Sequence, residues 1–286
     1  MNCPVCNSDT TAGYCPVNGY DSRRCTSCGH IFVENAVESV GAELYGRKFY
    51  ENYMSGMGYH EAYRKYLLAD FRKKISLMRT FLDEDSSVLE VGCGPGYFAE
   101  MMESEGYEVT GVELNNGCIN YAKEHNISFT NFVCEDISRS DSSISGKQYD
   151  SVVSWATIEH VRDVNEYVQL LKRYTVSKGY IFVDTGVVNR LVLAFDSGYT
   201  SWLFPPYHLH VFSEGSLKRI MRNNGLDIVY FDHWFNNHYR IKALRWLLLT
   251  RLLAKKVCSM RRIMSEKKKP GGLARIGLIV CRKPGD

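Results

Sequence analysis

The 286-residue chain has no apolar run near the roughly 18 residues a membrane span requires. Its opening, Met1-Asn2-Cys3-Pro4, has neither the basic nor the apolar part of a secretory leader. Both absences lead to the expectation of a cytoplasmic, reducing setting, where clustered thiols hold metal more often than they form disulfides. Charge imbalance is also slight: 35 Lys and Arg against 32 Asp and Glu leave a formal net charge of +3, too little for the whole molecule to act as an electrostatic nucleic-acid binder. There is no internal repeat or low-complexity tract, and 45% of residues are hydrophobic, which excludes disordered and collagen-like classes. A chain of this length can bury one large core, alone or with a small second unit.

The cysteines favour the second arrangement. Cys3-Pro-Val-Cys6 and Cys25-Thr-Ser-Cys28 form two matched pairs near the start. Each pair suits a tight knuckle aiming two thiolates at one ion, so Cys3, Cys6, Cys25 and Cys28 are expected to bind a structural Zn2+ tetrahedrally in a ribbon over residues 1–35. Gly29 follows the second pair, where a knuckle wants a positive φ. Cys15 and His30 are read as bystanders because the paired set already completes four-coordination. Such a module is expected to stand apart, so that losing its metal leaves ligand binding by the rest intact.

Residues 36–82 form an aromatic-rich helical segment expected to cover the active site. Tyr45, Phe49, Tyr50, Tyr53, Tyr59, Tyr63, Tyr66 and Phe71 could line a cleft, although core packing accounts for most of them. Helical spacing runs from His60 to Phe81, and Gly56 and Gly58 suggest a mobile turn.

From residue 83 to the end strands and helices alternate. Strands are expected near Ser87–Val91, Val109–Leu114, Phe129–Cys134, Ser151–Trp155 and Tyr180–Asp184, with helices near Tyr97–Glu105, Gly117–His125 and Val164–Tyr174. A further helix over Ser213–Asn224 lies between Gly186–Tyr207, which is mixed, and strands over Leu226–Trp234 and Arg275–Arg282. This pattern predicts an α/β fold: a Rossmann-like, seven-stranded, mostly parallel sheet with helices on both faces, binding ligands beyond the carboxyl ends of its strands.

Val88-Leu-Glu-Val-Gly-Cys-Gly-Pro-Gly96 runs from a buried strand into a helix through Gly92, Gly94 and Gly96, so a ligand can approach the backbone closely. A dinucleotide fingerprint would place glycine at 97, where this chain has Tyr97. Glu90 would also repel a pyrophosphate, whereas it suits a cationic ligand.

With Glu113 after the second strand, Cys134-Glu-Asp136-Ile after the third and Trp155-Ala-Thr-Ile-Glu-His160 after the fourth, the loop resembles that of the class I S-adenosylmethionine-dependent methyltransferases. The resemblance implies S-adenosylmethionine as cofactor. It also implies a site made of Glu90, Gly92, Cys93, Gly94, Gly96, Glu113, Leu114, Asp136, Ile137 and Trp155: the loop backbone passes the methionine part, Glu113 takes the ribose hydroxyls, Asp136 bonds the adenine amine, and Leu114 and Ile137 flank the ring. The ribbon and Pro205-Pro-Tyr-His-Leu-His-Val-Phe-Ser213 resemble, more narrowly, small-molecule and saccharide-tailoring members. Some sugar enzymes have His-Glu-His where this chain has His208-Leu209-His210, which weakens transfer of their catalytic scheme.

Methyl transfer needs alignment, desolvation and, for a hydroxyl or carbon acid, a base. Glu159, His160, His208 and His210 are the candidates, with His208 and His160 ranked equally. The expected activity is methylation of a small molecule or saccharide, at oxygen or carbon. An RNA methyltransferase is the alternative, with the ribbon, Arg23, Arg24 and a basic helical insert over 240–269 contacting phosphates. A non-catalytic cofactor-binding protein is a third possibility. In the insert, Trp246, Leu249, Leu253 and Val257 can form one apolar stripe between basic residues, read as packing on the core or a second subunit before membrane contact.

Overall fold

A computed structural model describes residues 1–14, 16–34, 61–188, 203, 205–234 and 275–285. Cys15, the aromatics from Tyr45 to Tyr59, the turn at Gly56 and Gly58, and the insert over 240–269 lie outside the described residues.

Seven strands make the central sheet: β4 (Ser87–Val91), β5 (Glu108–Val112), β6 (Asn131–Val133), β7 (Tyr149–Trp155), β8 (Thr175–Val188), β10 (Asp227–Trp234) and β11 (Arg275–Arg282). Their order is β6-β5-β4-β7-β8-β11-β10; the first five are parallel, and β11 is antiparallel to both β8 and β10. The seven-stranded, mostly parallel expectation therefore holds. Strands buried on both faces, such as β4 with Val88, Leu89 and Glu90 almost inaccessible, require cover above and below. That cover comes from α1 (Glu61–Met78), α2 (Tyr97–Ser104), α3 (Asn116–Glu124), α4 (Val164–Arg173) and α5 (Glu214–Asn223). One core joins Phe71, Ile75 and Met78 of α1 to Phe98 and Met102 of α2; the other joins Val168 and Leu171 of α4 to Leu217 and Ile220 of α5.

Local chemistry sets the helix starts. Asn115 accepts from Gly117 N (2.8 Å) before α3, and Asp163 accepts from Asn165 N (2.7 Å) and Glu166 N (3.0 Å) before α4. Ser213 and Ser216 form a capping box at α5.

The ribbon does not stand apart. Its strands β1 (Thr11–Gly13), β2 (Ser22–Cys25) and β3 (Ile31–Val33) continue into the sheet, because β3 pairs with β9 (His210–Ser213) and β9 runs parallel to the end of β8. Val187 pairs with β11 on one edge, which leaves β9 the other edge, past the end of β7 at Asp184. Eleven strands thus form one sheet. Side chains reinforce the junction: Asn165 Nδ2 donates to Pro4 O (2.7 Å), Asn223 Nδ2 to Val5 O (2.9 Å) and Ser213 Oγ to Cys28 O (2.7 Å). Cys3, Val5, Cys25 and Cys28 belong to the same apolar core as α4 and α5. The expectation of an autonomous module fails because the buried faces of its knuckles need that core.

Candidate active site

The chain leaves β4 through three left-handed glycines, with φ of 78° at Gly92, 55° at Gly94 and 89° at Gly96. Only glycine adopts such backbone freely. A Cβ on Gly92 would lie 2.5 Å from Thr157 Oγ1 and one on Gly96 2.2 Å from the Phe129 ring, whereas beside Gly94 there is nothing within 4 Å. The loop is packed at both shoulders and open at its centre. Gly92 N and the N–H of buried Cys93 donate to Val112 O (2.9 and 3.0 Å), fixing the loop against β5.

Glu113, just past β5, faces this opening. Its Oε2 accepts from Gly94 N (3.0 Å) and its Oε1 from Leu114 N (2.8 Å) and Asn115 N (3.0 Å). Burial raises its carboxyl pKa, against the pull of those three N–H groups. Leu114 is 47% exposed, while Ile137 is buried. Exposed Asp136 uses Oδ1 to accept from Ser138 N (2.9 Å) and Ser138 Oγ (2.6 Å). This edge therefore offers a carboxylate, a second acid and an uncovered apolar side chain.

On the other side of the loop Glu90 is buried, and its Oε2 has no hydrogen-bond partner among the described residues. Burial pushes its carboxyl well above the usual range, opposed chiefly by the Lys74 ammonium. Lys74, from α1, is itself buried between Asp70 (2.9 Å) and Asp184 (2.6 Å), with its Nζ 4.6 Å from the Trp155 ring centroid. Sequence reasoning missed this lysine, although the i,i+4 spacing of Asp70 and Lys74 was a signal. Asp184 also accepts from Ala156 N (2.7 Å), at a residue with φ of 47°. The turn leaving β7 is thereby held to β8.

That turn leads to the proposed chemistry. Glu159, His160 and His208 each present a ligand-type atom, all within 4.8 Å of one another. Glu159 is fully buried: its Oε2 accepts from Thr185 Oγ1 (2.8 Å), and its Oε1 has no hydrogen-bond partner among the described residues. Burial lifts its carboxyl to about 6, with His208 pulling the other way. His160 Nδ1 lies 3.1 Å from Tyr207 O, and a carbonyl can only accept, so Nδ1 carries a proton in that contact. Burial lowers its pKa to about 4, so the neutral ring prevails near pH 7. Leu209 N donates to Glu159 O (2.8 Å), which holds the His208 strand segment against the turn.

His210 is turned elsewhere. Its Nδ1 is 3.1 Å from His30 Nε2, in a fully enclosed pair beside Phe32 and Phe212, and burial lowers its pKa to about 4. Thus three of the four base candidates gather and the fourth joins the ribbon to the sheet. His30 is a bystander to the thiols but not to the fold.

In the ribbon the four thiols converge, all Sγ atoms within 4.8 Å of one another, with Cys3–Cys28 and Cys6–Cys25 each at 3.6 Å. A tetrahedron of Zn–S bonds of about 2.3 Å has sulfur edges of about 3.8 Å, so the cluster has the size such an ion demands. The Cys3 thiol is pulled down by its hydrogen bond with Cys28, whose own thiol is pushed up, so the pair favours a thiolate.

A family profile described as a methyltransferase domain matches residues 60–230, more than half of the chain. The chain belongs to the methyltransferase domain family. The class I resemblance drawn from the glycine loop is thereby established, and with it the fold. Among curated relatives of this methyltransferase chain, a ubiquinone biosynthesis O-methyltransferase of Haemophilus ducreyi is 29% identical over 114 residues, covering 38% of this chain and 48% of the relative. An (S)-tetrahydroprotoberberine N-methyltransferase of Eschscholzia californica is 26% identical over 172 residues, covering 56% and 47%. The chain spans about half the length of such relatives. In fold it resembles the magnesium protoporphyrin IX methyltransferase of Synechocystis crystallised with S-adenosylhomocysteine, with a TM-score of 0.55 at 12% identity over 85% of this chain and 97% of that one.

Proposed function

We propose that the chain transfers a methyl group from S-adenosylmethionine to a small-molecule acceptor, a saccharide or another hydroxyl-bearing compound, at oxygen or carbon. The observation that carries this reading is the open centre of the glycine loop, with Glu113 across from Gly94 and, among the described residues, nothing within 4 Å of where a Cβ there would lie. Gly92, Cys93, Gly94 and Gly96 would line the methionine part, Glu113 would hold the ribose diol, Asp136 the adenine amine, and Leu114, Ile137 and Trp155 the apolar surfaces. Glu90 would offset the cofactor's positive charge. When bound, the cofactor supplies an electrophilic methyl: a new bond forms from the acceptor as the carbon–sulfur bond breaks, its electron pair returning to sulfur. Glu159, His160 and His208 lie past the end of β7 and would meet the acceptor's nucleophilic atom, positioning it and easing loss of its proton.

The ribbon's four cysteines would hold one structural Zn2+, supported by their spacing. The RNA alternative has less to stand on. The ribbon's backbone and knuckles are packed on the sheet, and Arg23 is engaged by Glu34 (3.3 Å) and by Thr11. Calorimetry with S-adenosylmethionine and S-adenosylhomocysteine tests the reading. Wild-type protein should bind both, and Glu113→Ala should weaken binding by about 1–3 kcal/mol, the scale of a lost charge-assisted hydrogen bond. Absence of binding by the wild type would overturn the assignment.

A further inference from the structure

The group past β7 is better furnished than a single proton acceptor requires. Glu159 brings a carboxylate oxygen that is buried and, among the described residues, has no hydrogen-bond partner, an arrangement that costs free energy unless something positive or proton-bearing meets it. His160 is oriented by Tyr207 O, which lies 3.1 Å from its Nδ1; imidazoles that ligate metals are commonly oriented by such a backbone carbonyl. Thr185 holds the second Glu159 oxygen at 2.8 Å and so orients the carboxylate from behind. His208 supplies a third donor from a different segment, and the three ligand atoms lie within 4.8 Å of one another. Around an ion with bonds of about 2.1 Å, neighbouring ligand atoms stand about 3 Å apart, a contraction that side-chain rotation can supply.

We infer that Glu159, His160 and His208 form a site for a divalent first-row metal cation at the acceptor end of the methyltransferase site. Two imidazoles and one carboxylate suit such an ion and leave coordination positions open, unlike the closed four-sulfur set of the ribbon. The inference rests on the reading that the acceptor approaches this end. Given that reading, the open positions select an acceptor with an oxygen donor, and the cation eases deprotonation of its hydroxyl as a Lewis acid, the proton leaving to water. The three side chains then act as ligands rather than as bases, which accounts for three of them being gathered where one base would suffice.

The test uses the full chain, purified with its ribbon metal in place, and Mn2+ as probe. Binding is followed by calorimetry and by the loss of the free-ion electron paramagnetic resonance signal, while S-adenosylhomocysteine binding is measured on the same samples. The expected result is one Mn2+ per chain in addition to the ribbon zinc. Its affinity should fall at least tenfold in Glu159→Gln and in His208→Ala, with the ribbon zinc retained in both. His208 is only half-buried, so its variant stays informative if the change at the enclosed Glu159 impairs folding. No Mn2+ binding by wild type, or unchanged binding in His208→Ala, would overturn the inference. If S-adenosylhomocysteine binds in that case, the cation site alone has failed; if it does not bind, the methyltransferase reading fails separately.

Discussion

Replacing Gly94 and Gly96 one at a time by alanine separates the open centre of the glycine loop from its packed shoulder. Both residues have positive φ, 55° and 89°, so an L side chain at either costs about 1–2 kcal/mol from backbone strain. At Gly94 nothing stands within 4 Å of the new methyl group, and that cost should be nearly the whole loss of stability. At Gly96 the methyl would lie 2.2 Å from a Phe129 ring carbon, and Phe129 is backed by Phe132 at a ring separation of 4.9 Å. Overpacking of that kind adds about 1–3 kcal/mol. Urea unfolding read by the midpoint at constant slope should therefore rank wild type above Gly94→Ala and Gly94→Ala above Gly96→Ala. Cofactor binding should be hit hard in Gly94→Ala, because its methyl group projects into the space assigned to S-adenosylmethionine. Calorimetry should show affinity at least tenfold weaker. A Gly94→Ala protein that binds with wild-type affinity would refute the proposed path of the cofactor past the loop, and equal stability losses in the two variants would refute the Phe129 contact.

Two further outcomes follow from the same structure. Cys25→Ser should lose the ribbon metal and lower the melting temperature of the whole chain in a single transition, since the knuckles share a core with α4 and α5; a second transition at the wild-type temperature would show the ribbon to be autonomous. Glu90 should make cofactor affinity pH-dependent: its carboxyl titrates above the usual range, and only the ionised form attracts a cation, so affinity should rise as pH increases through that raised value and fall below it. Lys74 and Glu113 are the charged groups acting on it, and Glu90→Gln should flatten the calorimetric pH profile and weaken binding about tenfold; an unchanged profile would remove Glu90 from the cofactor's surroundings.

The parallel sheet was legible because its strands are apolar runs punctuated by glycine, and Arg275–Arg282 was found to the residue. The helix ends were readable to within a residue where Asn115, Asp163 and Ser213 cap them. Strand β9 was missed: four residues beginning with His210, next to two prolines, carry too little alternation to declare themselves, and their pairing with β3 is a contact across the whole chain. The full length of β8 was underestimated for a related reason. Val176-Ser177-Lys178-Gly179 resembles a turn, with Lys178 at φ of 64°, yet the strand continues through it. Glu113 and the glycine loop stood out through the family resemblance that their spacing carries, whereas Lys74 could not be placed beside Glu90 and Asp184 until α1 was folded across the sheet.

The junction between ribbon and sheet also bears on the acceptor end. The segment carrying His208 is gripped from both directions: Asn18 Nδ2 donates to Pro205 O (2.9 Å), Val33 N donates to Leu209 O (3.0 Å), and Leu209 N in turn donates to Glu159 O (2.8 Å). Four residues after Leu209, Ser213 caps α5 and donates to Cys28 O, so one hydroxyl fastens a knuckle, a strand end and a helix start. The segment that carries His208 is therefore held by ribbon residues through backbone contacts, without any contact between the thiols and the imidazole being needed. A ribbon built into the sheet in this way ties the segment beside the end of β7 to the core of α4 and α5, because Cys3, Val5, Cys25 and Cys28 are buried in that same core while Thr26 and Ser27 at the tip of the second knuckle face solvent.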